Sequence, residues 1–228
     1  MRKFEKEIEQ ITASHGCTLY DYADLKGLAT GELANFHRGI SFVFQMEPWV
    51  MKQLAQGPTD AYSVLYGQVN LRIDALAAEV VRALNRTGHQ AWALSSSTRS
   101  DPVNIRGDFQ HKTAATRAGL GWVGKNCQLL TKPWGPWVRL GTVLTDAPLE
   151  PAEPIEKSLC GKCTKCIEAC PAEALKGGSW RPGVERYVIL DAWACDRYKK
   201  NNFHKFHGGY NCGICTQACP VGQKVFRK

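Results

Sequence analysis

Apolar residues recur along the first half of the chain with two alternating periods. Phe4, Ile8 and Ile11 stand at helical spacing with Glu and Lys between them, which predicts a short amphipathic helix over residues 3–13, stopped at His15-Gly16. Residues 17–22 read as an extended entry, and Gly39–Met46, dense in β-branched and aromatic side chains, as a buried strand. Gly57-Pro-Thr-Asp60 announces a helix that Thr59 or Asp60 can cap. Beyond it Leu65, Val69, Ile73, Leu76, Val80 and Leu84 recur every three or four residues, predicting one long core-facing helix that ends near Gly88. Residues 90–94 predict another strand. Strand, long helix and strand together are the signature of an α/β layer.

The pattern then breaks. Residues 95–109 are polar, with Pro and Gly interruptions, and predict a long loop that is either functional or an ordinary surface crossing. Helix returns over 110–118. Gly119-Leu-Gly-Trp-Val-Gly-Lys-Asn126 follows, where glycine permits close backbone approach to a flat or anionic group and Lys125 supplies charge. Its Gly-x-Gly-x-x-Gly spacing imitates a dinucleotide fingerprint but follows a helix rather than a strand, so a Rossmann site is rejected. Trp137–Thr145 predicts a strand. Pro148, Pro151 and Pro154 form a stiff linker, dividing an α/β domain over 1–150 from a cysteine-rich domain over 155–228.

Eight of the ten cysteines fall in that second part. Cys160, Cys163, Cys166 and Cys170-Pro form C-x2-C-x2-C-x3-C-P, the bacterial ferredoxin run in which the fourth thiolate serves the neighbouring cluster. A second run, Cys212, Cys215 and Cys219-Pro, lacks its first cysteine; Gly209 holds that slot and Cys195 is the available substitute. The expected sets are therefore Cys160, Cys163, Cys166 and Cys219 on one 4Fe–4S cluster, and Cys170, Cys195, Cys212 and Cys215 on the other. Zinc is the competing reading, but it leaves the crossover pattern unexplained. Cys17 is most simply a buried small hydrophobe, and Cys127 is needed by neither cluster.

At 228 residues, with 44% hydrophobic and 22% charged residues, the composition is that of an ordinary globular protein. A charged N-terminus without an apolar core, and no span of about 18 apolar residues, predict a cytoplasmic protein with no membrane partner. The net charge of +8 favours acidic partners, either an acidic electron donor or nucleic acid. Arg197, Lys199, Lys200 and Lys205 concentrate part of it, more simply as a solvated face than as a nucleic-acid site.

Residues 118–126, 135–149, the cluster segment and Cys195-Asp-Arg-Tyr198 together resemble the iron–sulfur proteins related to epoxyqueuosine reductase and reductive dehalogenases. The resemblance implies a nitroreductase-like α+β layer that cradles a cobalamin, followed by a dicluster ferredoxin-like domain that passes it electrons. It would make Gly119, Gly121, Trp122, Gly124, Lys125 and Asn126 the wall of the corrinoid site. Epoxyqueuosine reductases carry an Asp-x-x-Pro-x-x-Glu segment before Ala-Gly-Leu-Gly, its Asp a proton donor. Here the corresponding slots hold Ile105 and His111.

Three functions follow. The first is a corrinoid-dependent reductase of a small molecule, fed by a low-potential ferredoxin- or flavodoxin-like donor, with Asp108, His111 or Lys112 donating a proton or holding an anion. For those residues the alternatives are a helix N-cap and a solvated first turn. The second is an electron carrier without corrinoid. The third is reduction of epoxyqueuosine in tRNA.

Overall fold

The computed structural model describes residues 2–227, so Lys228, the last residue of the expected cysteine-rich domain, lies outside the described residues. The chain forms two compact units. Unit 1 comprises residues 1–45, 69–120 and 139–155; unit 2 comprises 46–68, 121–138 and 156–228. The division expected at the proline linker is therefore corrected. The chain leaves unit 1 for the last time after Ile155, but two earlier segments already belong with the cysteine-rich part. A local composition change marks a linker, whereas membership of a unit depends on which distant surfaces meet.

In unit 1, helix α1 (Lys3–Ser14) buries Phe4, Ile8 and Ile11, and Gly16 in the left-handed region ends it. Strands β1 (Leu19–Asp24) and β2 (Arg38–Gln45) pair antiparallel, Leu19 opposite Val43 and Asp24 opposite Arg38. The Asp24–Arg38 ion pair, at 3.1 Å, closes that end of the ladder. Strand β3 (Ala91–Leu94) pairs antiparallel with β6 (Val138–Thr145), giving a four-stranded sheet in the order β1-β2-β6-β3. Residues 39–44 of β2 are all buried. Because successive side chains point to opposite faces, both faces of the sheet are covered there.

Helix α3 (Asp60–Arg86) provides much of that cover. The Thr59 hydroxyl accepts from the Tyr62 amide at 3.1 Å and caps its first turn. Val69, Ile73, Leu76, Val80 and Leu84 are buried along one face, as the period predicts, while Leu65 is half-buried. A Cβ at Gly141 would lie 2.5 Å from Ile73, so a side chain there would separate helix from sheet. Helix α4 (His111–Arg117) packs on β1 and β2.

Unit 2 has little regular structure. Helix α2 (Pro48–Lys52) starts its first segment. The glycine-rich stretch, for which no element was expected, forms a hairpin of β4 (Trp122–Val123) and β5 (Leu129–Leu130). The cysteines sit on α5 (Lys165–Glu168), α6 (Ala192–Phe203), α7 (Ile214–Gln217) and the turns beside them, with α8 (Pro220–Gln223) following Cys219. Segment 46–68 belongs here because Leu54 packs within 2.6 Å of a Cβ position at Gly213, beside α7, and Gly57 lies under the Phe203 ring of α6. No helix among the described residues is long and apolar enough to cross a membrane.

Candidate functional site

The local sequence makes the cysteine loops. Gly161 takes a left-handed turn between Cys160 and Cys163, and the Cys163 amide donates to the Cys160 carbonyl at 3.2 Å. Cys166 lies on α5, and Pro171 after Cys170 prevents that helix from continuing. Asp191 caps α6 by accepting from the Ala194 amide at 2.9 Å, which holds the turn carrying Cys195. Cys219 is the N-cap of α8.

Tertiary packing brings these loops together. Cys160, Cys163, Cys166 and Cys219 line one cavity of about 70 Å³. The Cys166 thiol is pushed up to about 11 by burial, with Cys219, Cys160 and Cys163 adding to it. Cys215 is pushed up by burial and then by Cys212, Cys195 and Cys170; Cys195 and Cys212 are likewise raised by burial and by their neighbours in that set. All eight are free thiols. Four thiols lining one cavity cannot all ionise without a cation among them, and thiolate is the form that binds iron. The donor set thus fits an iron–sulfur centre on chemical grounds.

Two features seat Cys219. The tip of the 131–135 turn brings Gly135 so close that its Cβ would lie 2.4 Å from the Gly222 amide nitrogen. Trp137, fully buried, donates its indole N–H to the Thr216 carbonyl at 3.1 Å. Gly209, the slot where the second run lacks a cysteine, has φ +80°, and a Cβ there would lie 2.6 Å from the Lys200 Cα on α6. The helix that fills this space carries Cys195.

The segment assigned to a corrinoid does other work. A Cβ at Gly119 would meet the Glu153 carbonyl at 2.6 Å, one at Gly121 the Leu130 carbonyl at 2.3 Å, and one at Gly124 Leu130 at 2.6 Å and the Cys160 sulfur at 3.3 Å. These glycines face the protein's own chain. Trp122, Lys125 and Asn126 line the cavity of the first four cysteines. Lys125 donates to the carbonyls of Gly161 (2.8 Å) and Cys163 (3.2 Å), fastening the ligand loop. A cofactor pocket typically offers several hundred cubic ångströms, so these residues do not fit a corrin macrocycle. No step is derived through one.

Unit 1 holds a separate polar cluster. His111, the first residue of α4, has its Nε2 at 3.1 Å from the Ser95 carbonyl and its Nδ1 at 2.9 Å from the Thr142 hydroxyl. A carbonyl only accepts, so the imidazole is the Nε2–H tautomer, and Thr142 donates to Nδ1. Burial first, and then the charge of Arg139, pushes its pKa down to about 4. His111 is therefore a neutral, fully engaged group, which corrects its expected role as a proton donor. Asp108 is exposed near the end of the polar loop, and Lys112 is half-buried on α4. Ile105 adopts φ +54° within the turn closed by the Asp101–Arg106 backbone pair.

Sequence reasoning missed the partners around His111. Arg139 on β6 donates to Asn70 Oδ1 at 3.0 and 2.8 Å and to the Ser96 carbonyl at 2.9 Å. Asp74 accepts from the Ser96 amide and hydroxyl at 3.0 and 3.2 Å. A charged residue inside a strand of otherwise buried character was the available signal, since a buried charge needs partners. The lysines expected to form a basic face are paired within the chain: Lys199 with Asp196 and the Tyr210 carbonyl, Lys200 with Asp196 at 2.8 Å, and Lys205 with Asp60 at 3.8 Å.

Fold and cysteine grouping define a mixed α/β protein carrying a dicluster iron–sulfur module. Residues 159–222 match the family described as the 4Fe-4S double cluster binding domain. The chain is similar to epoxyqueuosine reductases: it is 34% identical to that of Bacillus anthracis over 117 residues, and 35% identical to that of Atelocyanobacterium thalassa over 150. Those alignments cover 50% and 60% of this chain but only 30% and 45% of the relatives' own lengths. Among solved structures, a catabolic reductive dehalogenase in complex with 3-bromo-4-hydroxybenzoic acid superposes with a TM-score of 0.72, covering 94% of this chain and 31% of that one at 18% identity. The epoxyqueuosine reductase of Streptococcus thermophilus gives 0.60, covering 97% and 67%, also at 18% identity. The fold is shared with both.

Proposed function

We propose that the protein is an iron–sulfur oxidoreductase of the epoxyqueuosine reductase type, in which Cys160, Cys163, Cys166 and Cys219 hold one 4Fe–4S cluster and Cys170, Cys195, Cys212 and Cys215 hold the other. Each cluster, when bound, supplies reversible one-electron transfer. The observation that carries this reading is the convergence of Cys160, Cys163, Cys166 and Cys219, from two separate stretches of chain, on one cavity. The chain's own residues shape the rest. Lys125 fixes the Cys160–Cys163 loop and sets a positive charge beside it. Trp122 and Leu130 give the first cysteine cavity an apolar wall. Unit 1 is read as a nitroreductase-like α+β layer, and its exposed Asp108 is the available proton source, because both ring nitrogens of His111 are engaged. A low-potential ferredoxin- or flavodoxin-like protein is the electron donor. A corrinoid is not part of this reading.

The substrate class favoured by the relatives is a modified tRNA, since one solved epoxyqueuosine reductase of the same fold was captured with an epoxyqueuosine-modified tRNA stem loop. The positive net charge is compatible with that substrate. A small organic oxidant is the second reading, favoured by the fold shared with the reductive dehalogenase.

Anaerobic reconstitution tests the cluster assignment. About eight iron and eight sulfide per chain are expected, falling to about four of each in Cys195→Ser and remaining near eight in Cys17→Ser. Retention of full iron in Cys195→Ser would remove that residue from the ligand set.

A further inference from the structure

Beyond the thiols, the first cysteine cavity contains two hydrogen-bond donors with nowhere to donate. Trp122 is 4% exposed and Asn126 3% exposed, and both line the cavity with Cys160, Cys163, Cys166 and Cys219. The Trp122 indole Nε1 and the Asn126 Nδ2 have no hydrogen-bond partner among the described residues. A buried N–H left unsatisfied gives up its hydration for nothing, so native structures rarely tolerate it without a reason. Two in one cavity require one.

The rest of the hairpin shows that these donors are held in place. The Asn126 side-chain oxygen accepts from the Gln128 amide at 3.1 Å, so the amide is oriented with its nitrogen committed elsewhere. Trp122 is locked by the β4–β5 pairing opposite Leu130. Gly124 allows the turn to come within van der Waals reach of the Cys160 sulfur, where any side chain would intrude. The hairpin therefore brings two fixed N–H dipoles to the edge of a four-sulfur cavity, where no cysteine sulfur meets them and a group bound among those sulfurs could.

We propose that Trp122 and Asn126 are potential-setting residues that donate N–H···S hydrogen bonds to the sulfurs of the cluster held by Cys160, Cys163, Cys166 and Cys219. This rests on the ligand assignment proposed above. An N–H aimed at sulfur stabilises the reduced cluster, which carries one more negative charge, more than the oxidised one, and so raises its reduction potential. Trp122 and Asn126 line the cavity of the first four cysteines and none of the other four, so their effect falls on the first cluster's potential.

Redox titration followed by EPR, on the anaerobically reconstituted full chain, tests this. Trp122→Phe keeps the aromatic bulk and removes the N–H; Asn126→Ala removes the amide. In each variant one of the two midpoint potentials moves to a more negative value while the other stays, and the double variant moves the same one further. Iron and sulfide content stays at the wild-type level. Because a smaller side chain could admit water, a second measurement addresses the bond itself. In wild-type protein labelled with 15N-tryptophan, pulsed EPR of the reduced cluster shows a nitrogen coupling that Trp122→Phe abolishes. Full cluster content with no tryptophan coupling, or with both potentials unmoved in both variants, overturns the proposal. Failure of the wild-type chain to assemble two clusters overturns the ligand assignment instead, and iron analysis distinguishes the two cases.

Discussion

His111 illustrates how a residue type can point to chemistry that its surroundings withdraw. A histidine beside a polar loop suggests proton transfer, yet here each ring nitrogen has a fixed partner and burial holds the pKa near 4, well below its ordinary 6.5. Between these two values the unfolded chain binds a proton that the folded chain does not. The contribution to stability is thus complete above about pH 6.5 and is lost as the pH falls toward 4, on the order of 3 kcal/mol in all. Denaturant unfolding of wild type and His111→Asn at pH 7 and pH 5 checks this: the wild type loses more stability between the two than the variant. An equal loss would show that His111 titrates normally. Cys17 makes a similar point, because its thiol, pushed up to about 11 by burial and donating to the Leu19 carbonyl at 3.1 Å, is an inert packing group.

At the scale of elements, α6 replaces a ligand loop. In the second cysteine run the first position is Gly209, and the geometry explains why a cysteine there would not serve. Its φ of +80° disfavours any side chain, and the Lys200 backbone of α6 occupies the place of a Cβ. The helix that takes this space delivers Cys195 from its own first turn, capped by Asp191. Restoring the regular spacing by Gly209→Cys in a Cys195→Ser background should therefore leave the chain with about four iron rather than eight, and cost more than about 1 kcal/mol in stability. Iron analysis together with thermal unfolding reads both effects; recovery of eight iron would mean that α6 yields readily.

For the molecule as a whole, charge and cluster content make separate predictions. Formal charge is +8, but Lys199, Lys200 and Lys205 are engaged with Asp196, Tyr210 and Asp60. If tRNA is the substrate, its affinity falls with salt, by roughly 40- to 150-fold between 50 and 200 mM for three or four phosphate contacts. Neutralising Lys200, whose charge is already met by Asp196, leaves that slope unchanged. Filter binding across a salt series measures both, and salt-independent binding would dismiss the tRNA reading in favour of a small oxidant.

Elements whose cause is local are legible in the order of residues alone. Helical periods fixed α1 and α3, β-branched runs fixed β2 and β6, and the short spacings Cys160-x2-Cys163-x2-Cys166 and Cys212-x2-Cys215 determined which sulfurs lie near one another. In each case a few consecutive residues set the geometry. The use of the glycine-rich stretch became visible in the folded chain. Its pattern is compatible with any close approach, and the partner turned out to be the protein's own Leu130 and Cys160 rather than a macrocycle. The same holds for Arg139 with Asn70, and for the assignment of segments 46–68 and 121–138 to the cysteine-rich unit. A spacing constrains only what lies within a turn or two along the chain; which distant surfaces meet is settled by burying apolar area and pairing buried polar groups across it.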